Sequence, residues 1–273
     1  MLQTFKKVAL GTALLAASAS SFAALPFTVD ASAAAGFPTT FEADEIAGTY
    51  NEVVLVDALA GTFEATVLLD FTSFLLNGNG VSNTGLSPSV NIPGIGYRLY
   101  AIVDFDGAVT AGAPDFKTGF WSGDIEMYLD PNFDTPSNEG LSLDGINSTT
   151  ASFDALAADD QLLFDATIDF GQSNGTVDSG SFSLNASLSN DPVNDPSLTP
   201  AGEAFFIEPD PFYNMLISFG NLNDFFKDVI FNDPNLGLQR FNSGANVNFV
   251  PSPSGVALLG LGLFALAYRS RKA

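Results

Sequence analysis

The chain contains neither cysteine nor histidine. Without cysteine it can form no disulfide bond, and it has no thiol nucleophile or cysteine metal ligand. Without histidine it lacks the imidazole base, the Ser-His-Asp triad and the usual zinc ligand. These absences exclude many familiar hydrolytic and redox centres. We expect a non-enzymatic protein, with a secreted carbohydrate-active enzyme as an alternative.

Basic residues are rare in the long middle of the chain. Between residues 24 and 253 the only ones are Arg98, Lys117, Lys227 and Arg240, whereas all 31 acidic residues of the chain lie there. The net charge of this part is therefore 4 minus 31, or −27. A surface of this charge repels nucleic acid and anionic lipid headgroups, and it attracts cations.

Acidic excess alone is also typical of disordered chains. Here, however, 46% of the residues are apolar and 26 of them are phenylalanine. This composition predicts a packed core. The part between the two ends has about 225 residues, which is enough for one large β domain or two small ones.

The first residues have the layout of a secretory signal. Lys6 and Lys7 precede an apolar run over residues 8–19, and the small residues Ser21 and Ala23 follow it. Small residues at the −3 and −1 positions predict cleavage by signal peptidase after Ala23. The alternative is a permanent membrane helix, but the run is too short and too rich in alanine and serine to favour it.

A second apolar run lies near the end of the chain, over Gly255–Tyr268. Counted together with Phe249 and Val250, it is about 20 residues long, which is enough for a helix to cross a bilayer. The run is followed by three basic residues, Arg269, Arg271 and Lys272. Basic residues at this position are typical of a cytoplasmic stop. A plain permanent anchor and a buried core helix are the alternatives.

A short proline motif precedes the second apolar run and consists of Val250, Pro251, Ser252, Pro253 and Ser254. The motif, the apolar run and the basic tail together resemble the PEP-CTERM sorting signal of Gram-negative bacteria. The resemblance implies that an inner-membrane exosortase recognises the segment and cuts near the motif. The chain departs from the family at Ser252, where the family pattern has glutamate.

The middle of the chain alternates apolar and polar residues with a period of two. This pattern predicts strands at residues 50–57, 62–76, 96–106, 120–130, 161–170, 176–188, 203–208, 212–219 and 245–250. Residues 77–80 (Asn-Gly-Asn-Gly) predict a hairpin turn, and residues 224–231 fit either a helix or a strand. Many short strands separated by turns predict an all-β fold, an antiparallel sandwich or jelly-roll-like domain.

Several short segments of the middle part resemble flocculation-associated PEP-CTERM proteins. They are residues 27–30 (Phe-Thr-Val-Asp), 97–101 (Tyr-Arg-Leu-Tyr-Ala), 126–131 (Glu-Met-Tyr-Leu-Asp-Pro), 202–206 (Gly-Glu-Ala-Phe-Phe) and 209–213 (Pro-Asp-Pro-Phe-Tyr). The resemblance implies a role in floc or biofilm formation together with secreted exopolysaccharide. It implies no catalytic residues.

One loop has the beginning of a calcium-binding pattern, with the candidate ligands Asp130, Asn132, Asp134 and Glu139. It is not an EF-hand, because Thr135 stands where that loop requires glycine. An irregular Ca²⁺ site is the hypothesis, since extracellular calcium sites bind weakly and tolerate varied loops. The alternative is a turn rich in Asp and Asn after a strand.

Three aromatic residues, Tyr100, Trp121 and Tyr128, are candidates for a platform on which a sugar ring stacks. Tyr100 and Tyr128 fall on the polar sides of their alternating strands. The alternative is that they are ordinary packing aromatics of a β domain.

The sequence as a whole predicts a signal peptide (1–23), an acidic β domain (24–248) and a sorting segment (249–273). A signal helix and a membrane helix would flank the domain. Transient anchoring in the inner membrane and processing by exosortase would release it to the extracellular matrix or cell surface. There it would act in flocculation with exopolysaccharide. The alternatives are a secreted carbohydrate-binding or carbohydrate-active protein, and a domain tethered permanently.

Overall fold

The computed structural model describes residues 25–32, 37–57, 62–86, 96–108, 121–131, 146–147, 152–153, 158–168, 174–176, 181–187, 190–191, 195–196, 198–209, 214–219 and 238–250. These residues form mostly antiparallel β-sheet, with a short helix. The expectation of an antiparallel β fold is therefore confirmed.

The strands are β1 (Phe27–Asp30), β2 (Thr40–Ala43), β3 (Glu45–Asp57), β4 (Thr62–Leu76), β5 (Asn79–Gly80), β6 (Arg98–Ala108), β7 (Trp121–Asp130), β8 (Ile146–Asn147), β9 (Ser152–Phe153), β10 (Gln161–Ile168), β11 (Asn174–Thr176), β12 (Ser181–Ser187), β13 (Asn190–Asp191), β14 (Asp195–Pro196), β15 (Phe206–Glu208), β16 (Asn214–Phe219) and β17 (Leu238–Val250). The short helix α1 spans Pro200–Phe205. The bounds of β4 coincide with the stretch that alternation predicts.

The main sheet curls and closes on itself. Its strand order is β10-β7-β6-β4-β3-β17-β16-β12-β11, and β10 pairs with β12 as well as with β7. A sandwich would have two separate sheets face to face, whereas these strands form a single curled sheet. The long strands β3, β4 and β17 explain the difference, because strand twist accumulates along them and bends a sheet round.

The core lies on the inner face of this sheet. Alternate residues of β4, β6 and β7 are buried there, namely Val67, Leu69, Phe71, Leu99, Ala101, Val103, Ile125, Met127 and Leu129. Each apolar side chain contributes by losing contact with water, at about 25 cal/mol per Å². The period of two that predicts these strands therefore also predicts which of their faces turns inward.

One end of the sheet is covered by a smaller sheet of order β15-β1-β2, together with α1. Aromatic rings fill this end, and we call them the aromatic cluster: Phe27, Phe41, Phe74, Tyr97, Phe205, Phe206 and Phe249. The ring centroids of Phe27 and Phe249 are 4.7 Å apart, in an edge-to-face contact. Such contacts add stability beyond that of buried area.

The helix α1 occupies residues that alternation assigns to a strand, so that part of the prediction is wrong. Thr199 is the N-cap residue, and its hydroxyl accepts a hydrogen bond of 3.1 Å from the amide of Gly202. Pro200 follows at the first helical position, where its fixed φ favours a helix. The cap and the proline outweigh the alternation of residues 203–205, and strand begins only at Phe206.

The turn at residues 77–80 is confirmed. Asn77 and Gly78 both have positive φ, at 52° and 74°, and they join β4 to β5. Glycine and asparagine adopt this backbone region at low cost, which is why the sequence predicts the turn well.

The last strand extends further than the domain boundary at residue 248. Phe249 lies in the core with 0% exposure, and Val250 ends β17. Both residues are therefore part of β17. Within the ranges that the structure describes, no helix is long and apolar enough to span a membrane. Residues 1–23, 224–231 and 251–273 lie outside those ranges.

Gly48 provides a test of the sheet geometry. A Cβ atom at this position would overlap the carbonyl oxygen of Asp70, where β3 has an irregular register against β4. We expect Gly48→Ala to lower the free energy of unfolding by about 1–3 kcal/mol, the usual cost of overpacking, in urea denaturation. Gly244→Ala is the matched control, because its Cβ would meet only the Gly48 carbonyl oxygen at 3.8 Å. Equal stability of the two variants would contradict this geometry.

Candidate functional site

The outer face of β4, β6 and β7 carries polar side chains that are buried. They are Asp70, Arg98, Tyr100, Tyr128 and Asp130, which we call the polar row. The register places Asp70 opposite Tyr100, Tyr100 opposite Tyr128, and Arg98 opposite Asp130. The outer face of a one-sided sheet is normally solvated, so a buried group of polar residues there is unusual. It is the candidate site of this protein.

An ion pair lies at one end of the polar row. The guanidinium of Arg98 contacts Oδ1 of Asp70 through Nε at 2.7 Å and through Nη2 at 2.5 Å. The side chains of Arg98 and Asp70 are 2% and 6% exposed. Charges buried so deeply lose their hydration, and their mutual attraction roughly offsets that loss. Each charge therefore depends on its partner.

The two tyrosines of the row stack on each other. The ring centroids of Tyr100 and Tyr128 are 5.3 Å apart and their planes differ by 14°. The guanidinium carbon of Arg98 lies 5.3 Å from the centroid of Tyr100, within the range of a cation–π contact. One packed unit across β6 and β7 is thus formed by Arg98, Tyr100 and Tyr128.

Both tyrosine hydroxyls donate to carboxylates. Tyr100 donates to Oδ2 of Asp160 at 2.5 Å, and Tyr128 donates to Oε2 of Glu126 at 2.7 Å. Burial raises the pKa of the Tyr128 hydroxyl well above its usual range, and the hydrogen bond to Glu126 raises it further. This hydroxyl therefore stays protonated and serves as a donor, not as a base.

The structure brings together two of the three predicted platform residues. Tyr100 and Tyr128 are adjacent, as their shared face predicts, but they are 0% and 9% exposed. Trp121 lies at the other end of β7, roughly 23 Å from Tyr128 at about 3.3 Å per residue. The burial of both tyrosines leaves no open surface on which a sugar ring could stack. The expectation of a platform built from these three residues is therefore corrected.

Of the predicted calcium ligands, the structure describes only Asp130. It ends β7, is fully buried and lies opposite Arg98. Asn132, Asp134 and Glu139 lie outside the described residues. Within the part of the chain that is described, no three acidic residues are grouped so as to hold a metal ion. The calcium site stays a prediction.

The sorting residues lie mostly beyond the described part. Val250 is the last residue of β17 and pairs with Asn214. The remaining members are outside the described ranges: Ser21, Ala23, Pro251, Ser252, Pro253, Ser254, Arg269, Arg271 and Lys272.

Next to the polar row, the outer face carries acidic residues in opposed positions. We call this group the acidic strip, and it consists of Glu64, Asp104, Asp106, Asp124, Glu126 and Asp165. Three cross-strand pairs place like charges directly opposite: Glu64 with Asp106, Asp104 with Asp124, and Glu126 with Asp165. Like charges in this arrangement destabilise a sheet, and together they attract cations.

Asp104 is a member of the strip whose carboxyl has a raised pKa. Partial burial raises the pKa of its carboxyl, and repulsion from Glu126 and Asp124 raises it further. A hydrogen bond of 2.5 Å from the Thr66 hydroxyl opposes this shift. The folded sheet therefore disfavours the charged form of the Asp104 carboxyl.

Sequence reasoning missed the Arg98–Asp70 pair and the acidic strip. One signal was available for the pair, since Arg98 is a rare cation and stands inside an alternating apolar strand. The strip had no such signal. Opposed carboxylates become visible only when the register between strands is known.

No protein-family model matches the chain, and neither a curated protein nor a solved structure matches it. A proposal about function must therefore be built on the geometry, the charge and the sequence motifs of the chain itself.

The Arg98–Asp70 pair leads to a stability prediction. We expect Arg98→Met to lower the free energy of unfolding by about 3–5 kcal/mol, because it leaves the buried Asp70 carboxylate without its partner. The double variant Arg98→Met with Asp70→Leu should recover part of that loss, since the Asp70 charge is then removed as well, while the buried Asp130 carboxylate opposite position 98 remains. Urea denaturation of the two variants and the wild type tests this. A single variant as stable as the wild type would contradict it.

Asp104 leads to a prediction about pH. A raised pKa means that the folded protein binds this proton more tightly than the unfolded chain does. The resulting stability is present at low pH and is lost as pH rises through the folded pKa. We therefore expect Asp104→Asn to raise the melting temperature at pH 7 and to lose this advantage near pH 4.

Thermal unfolding across that pH range is the measurement, and Asp106→Asn is the control on the same strand. Asn at position 104 can still accept the Thr66 hydrogen bond, so the variant changes charge more than contacts. An equal gain in melting temperature in both variants would mean that the net charge is responsible, and not the burial and acidic neighbours of Asp104.

Proposed function

We propose that this protein is an exported, non-enzymatic matrix protein that acts in flocculation or biofilm formation together with exopolysaccharide. One observation carries the proposal: four segments that resemble flocculation-associated proteins lie together at one end of the sheet. Val29 pairs with Phe206, and the rings of Tyr97 and Phe205 are 5.7 Å apart. Arg98 pairs with Asp130 next to them. Segments distant in sequence thus belong to one structural unit.

The arrangement of the two ends supports the proposed route of export. The amide of Leu25 donates a hydrogen bond of 3.1 Å to the carbonyl of Phe249. The chain therefore enters and leaves the domain at neighbouring points. Signal peptidase would cut after Ala23, two residues before Leu25, and exosortase would cut near Pro251-Ser252-Pro253 while the following helix holds the protein in the inner membrane.

The charge of the domain supports a partner in the matrix. Opposed carboxylates in the acidic strip repel each other, and divalent cations would reduce that repulsion. Calcium prefers oxygen ligands, and extracellular modules bind it weakly. Such cations would bridge carboxylates of this domain to acidic groups of the polysaccharide. The strong negative charge makes nucleic acid an unsuitable partner.

Deletion of the gene in the producing cell tests the proposed function. We expect the cells to settle more slowly because flocs fail to form, while the mass of secreted polysaccharide stays unchanged. Reintroduction of the wild-type chain should restore settling. Normal flocs in the deletion strain would contradict a role in flocculation, and reduced polysaccharide would indicate a role in synthesis or secretion instead.

The processing step has its own measurement. We expect mass spectrometry of the secreted protein to give a mature chain that begins at Ala24 and lacks the basic tail. A chain without Arg269, Arg271 and Lys272 serves as a control for membrane retention, since its stop signal is removed. A secreted wild-type chain that still ends at Ala273 would contradict processing.

A further inference from the structure

The end of the last strand leaves no free spacer before the sorting motif. On one side of β17, Phe249 pairs with Met215 and Val250 pairs with Asn214. On the other side, Asn248 pairs with Glu45. The β-ladder therefore runs to Val250, and the next residue in the chain is Pro251, the first proline of the motif.

The aromatic cluster packs against the end of β17, in addition to the pairing of that strand with β3 and β16. Phe249 is fully buried, and its ring centroid lies 4.7 Å from that of Phe27 and 5.7 Å from that of Phe206. The Leu25 amide donates to the Phe249 carbonyl as well. The N-terminal segment thus holds the final residues of β17 in place.

A processing enzyme needs access to the backbone of the peptide that it cuts, and the packing of β17 removes that access. Enzymes that bind an extended peptide pair with its backbone over several residues on both sides of the reaction point. Here the backbone of residues 248–250 is already paired within the sheet. Releasing it would also expose Phe249, which costs the burial of an aromatic side chain.

We propose that the folded domain occludes the N-terminal side of the sorting motif, so that opening of the end of β17 limits processing. The inference rests on the proposed exosortase cleavage and adds its regulation. Hydrolysis adds water across one peptide bond, which leaves a carboxylate on the domain and an amine on the released segment. Cleavage after Val250 would leave the whole of β17 in the mature protein.

A flexible spacer changes the access of the processing enzyme to the motif without changing the stability of the folded domain. Insertion of Gly-Ser-Gly-Ser-Val between Val250 and Pro251 of the full chain moves a complete Val-Pro-Ser-Pro-Ser motif away from the sheet and leaves β17 intact. We expect pulse-chase labelling in the producing cell to show processing faster by about tenfold, the factor that corresponds to about 1.4 kcal/mol of opening. The melting temperature should not change.

The control carries the same five residues between Gly78 and Asn79, in the exposed turn between β4 and β5. This insertion should leave the rate of processing as in the wild type. If the spacer after Val250 gives the wild-type rate too, opening of β17 does not limit processing and the proposal is overturned.

A second experiment needs no exosortase. The purified full-length chain in detergent micelles is treated with a broad-specificity protease, and the new C-terminus is found by mass spectrometry. We expect wild-type trimming to stop at or after Val250. Phe27→Ala should allow trimming into β17 about tenfold faster, because local opening governs cleavage. Phe41→Ala is the control, since that ring contacts Phe74 and not Phe249.

Phe27→Leu replaces Phe27→Ala if the smaller residue prevents folding, and it should give a smaller acceleration in the same direction. Equal trimming of the wild type and the Phe27 variants, or wild-type trimming into β17, would overturn the inference. Retention of Ala273 in the cell would instead count against the proposed processing itself. The two failures are therefore distinguishable.

Discussion

The contact between Phe27 and Phe249 joins the first strand of the domain to the last, and it packs the smaller sheet against the end of β17 in the main sheet. β17 does not lie at an edge but between β3 and β16, so the final residues of the domain complete the centre of the sheet. The pairing of Asn248 with Glu45 spans roughly 200 residues, which makes it a contact of high sequence separation. We infer that the sheet closes late in folding, when β17 is in place and the aromatic cluster packs over its end.

The two faces of the sheet contribute to stability in opposite ways. The inner face gains stability from apolar burial, whereas the outer face of β4, β6 and β7 has to bury Arg98 and Asp70 and to hold opposed carboxylates nearby. The ion pair and the stacked tyrosines satisfy the buried groups, so this part of the face is a structural unit and not an open binding surface. The acidic strip remains electrostatically unfavourable, because its like charges lie directly opposite one another.

Local patterns in the sequence predict local structure well here. Alternation predicts β4 and the inward side of Leu99 and Val103, and the Asn77-Gly78 pair predicts its turn because these residues accept positive φ. Alternation fails at residues 203–205, where the Thr199 cap and Pro200 start a helix instead.

Features that depend on pairing between distant strands are not predictable in this way. The closure of the sheet, the Arg98–Asp70 pair and the opposed acids all follow from register, which a single sequence does not specify. The predicted polar side of Tyr100 and Tyr128 is right, yet their burial could not be foreseen. Hydrogen exchange tests the central contact most directly. The amides of Leu25 and of residues 245–250 should exchange together, through one shared opening. Fast exchange at residues 248–250 while the rest of β17 stays protected would contradict the view that the first and last strands form one unit.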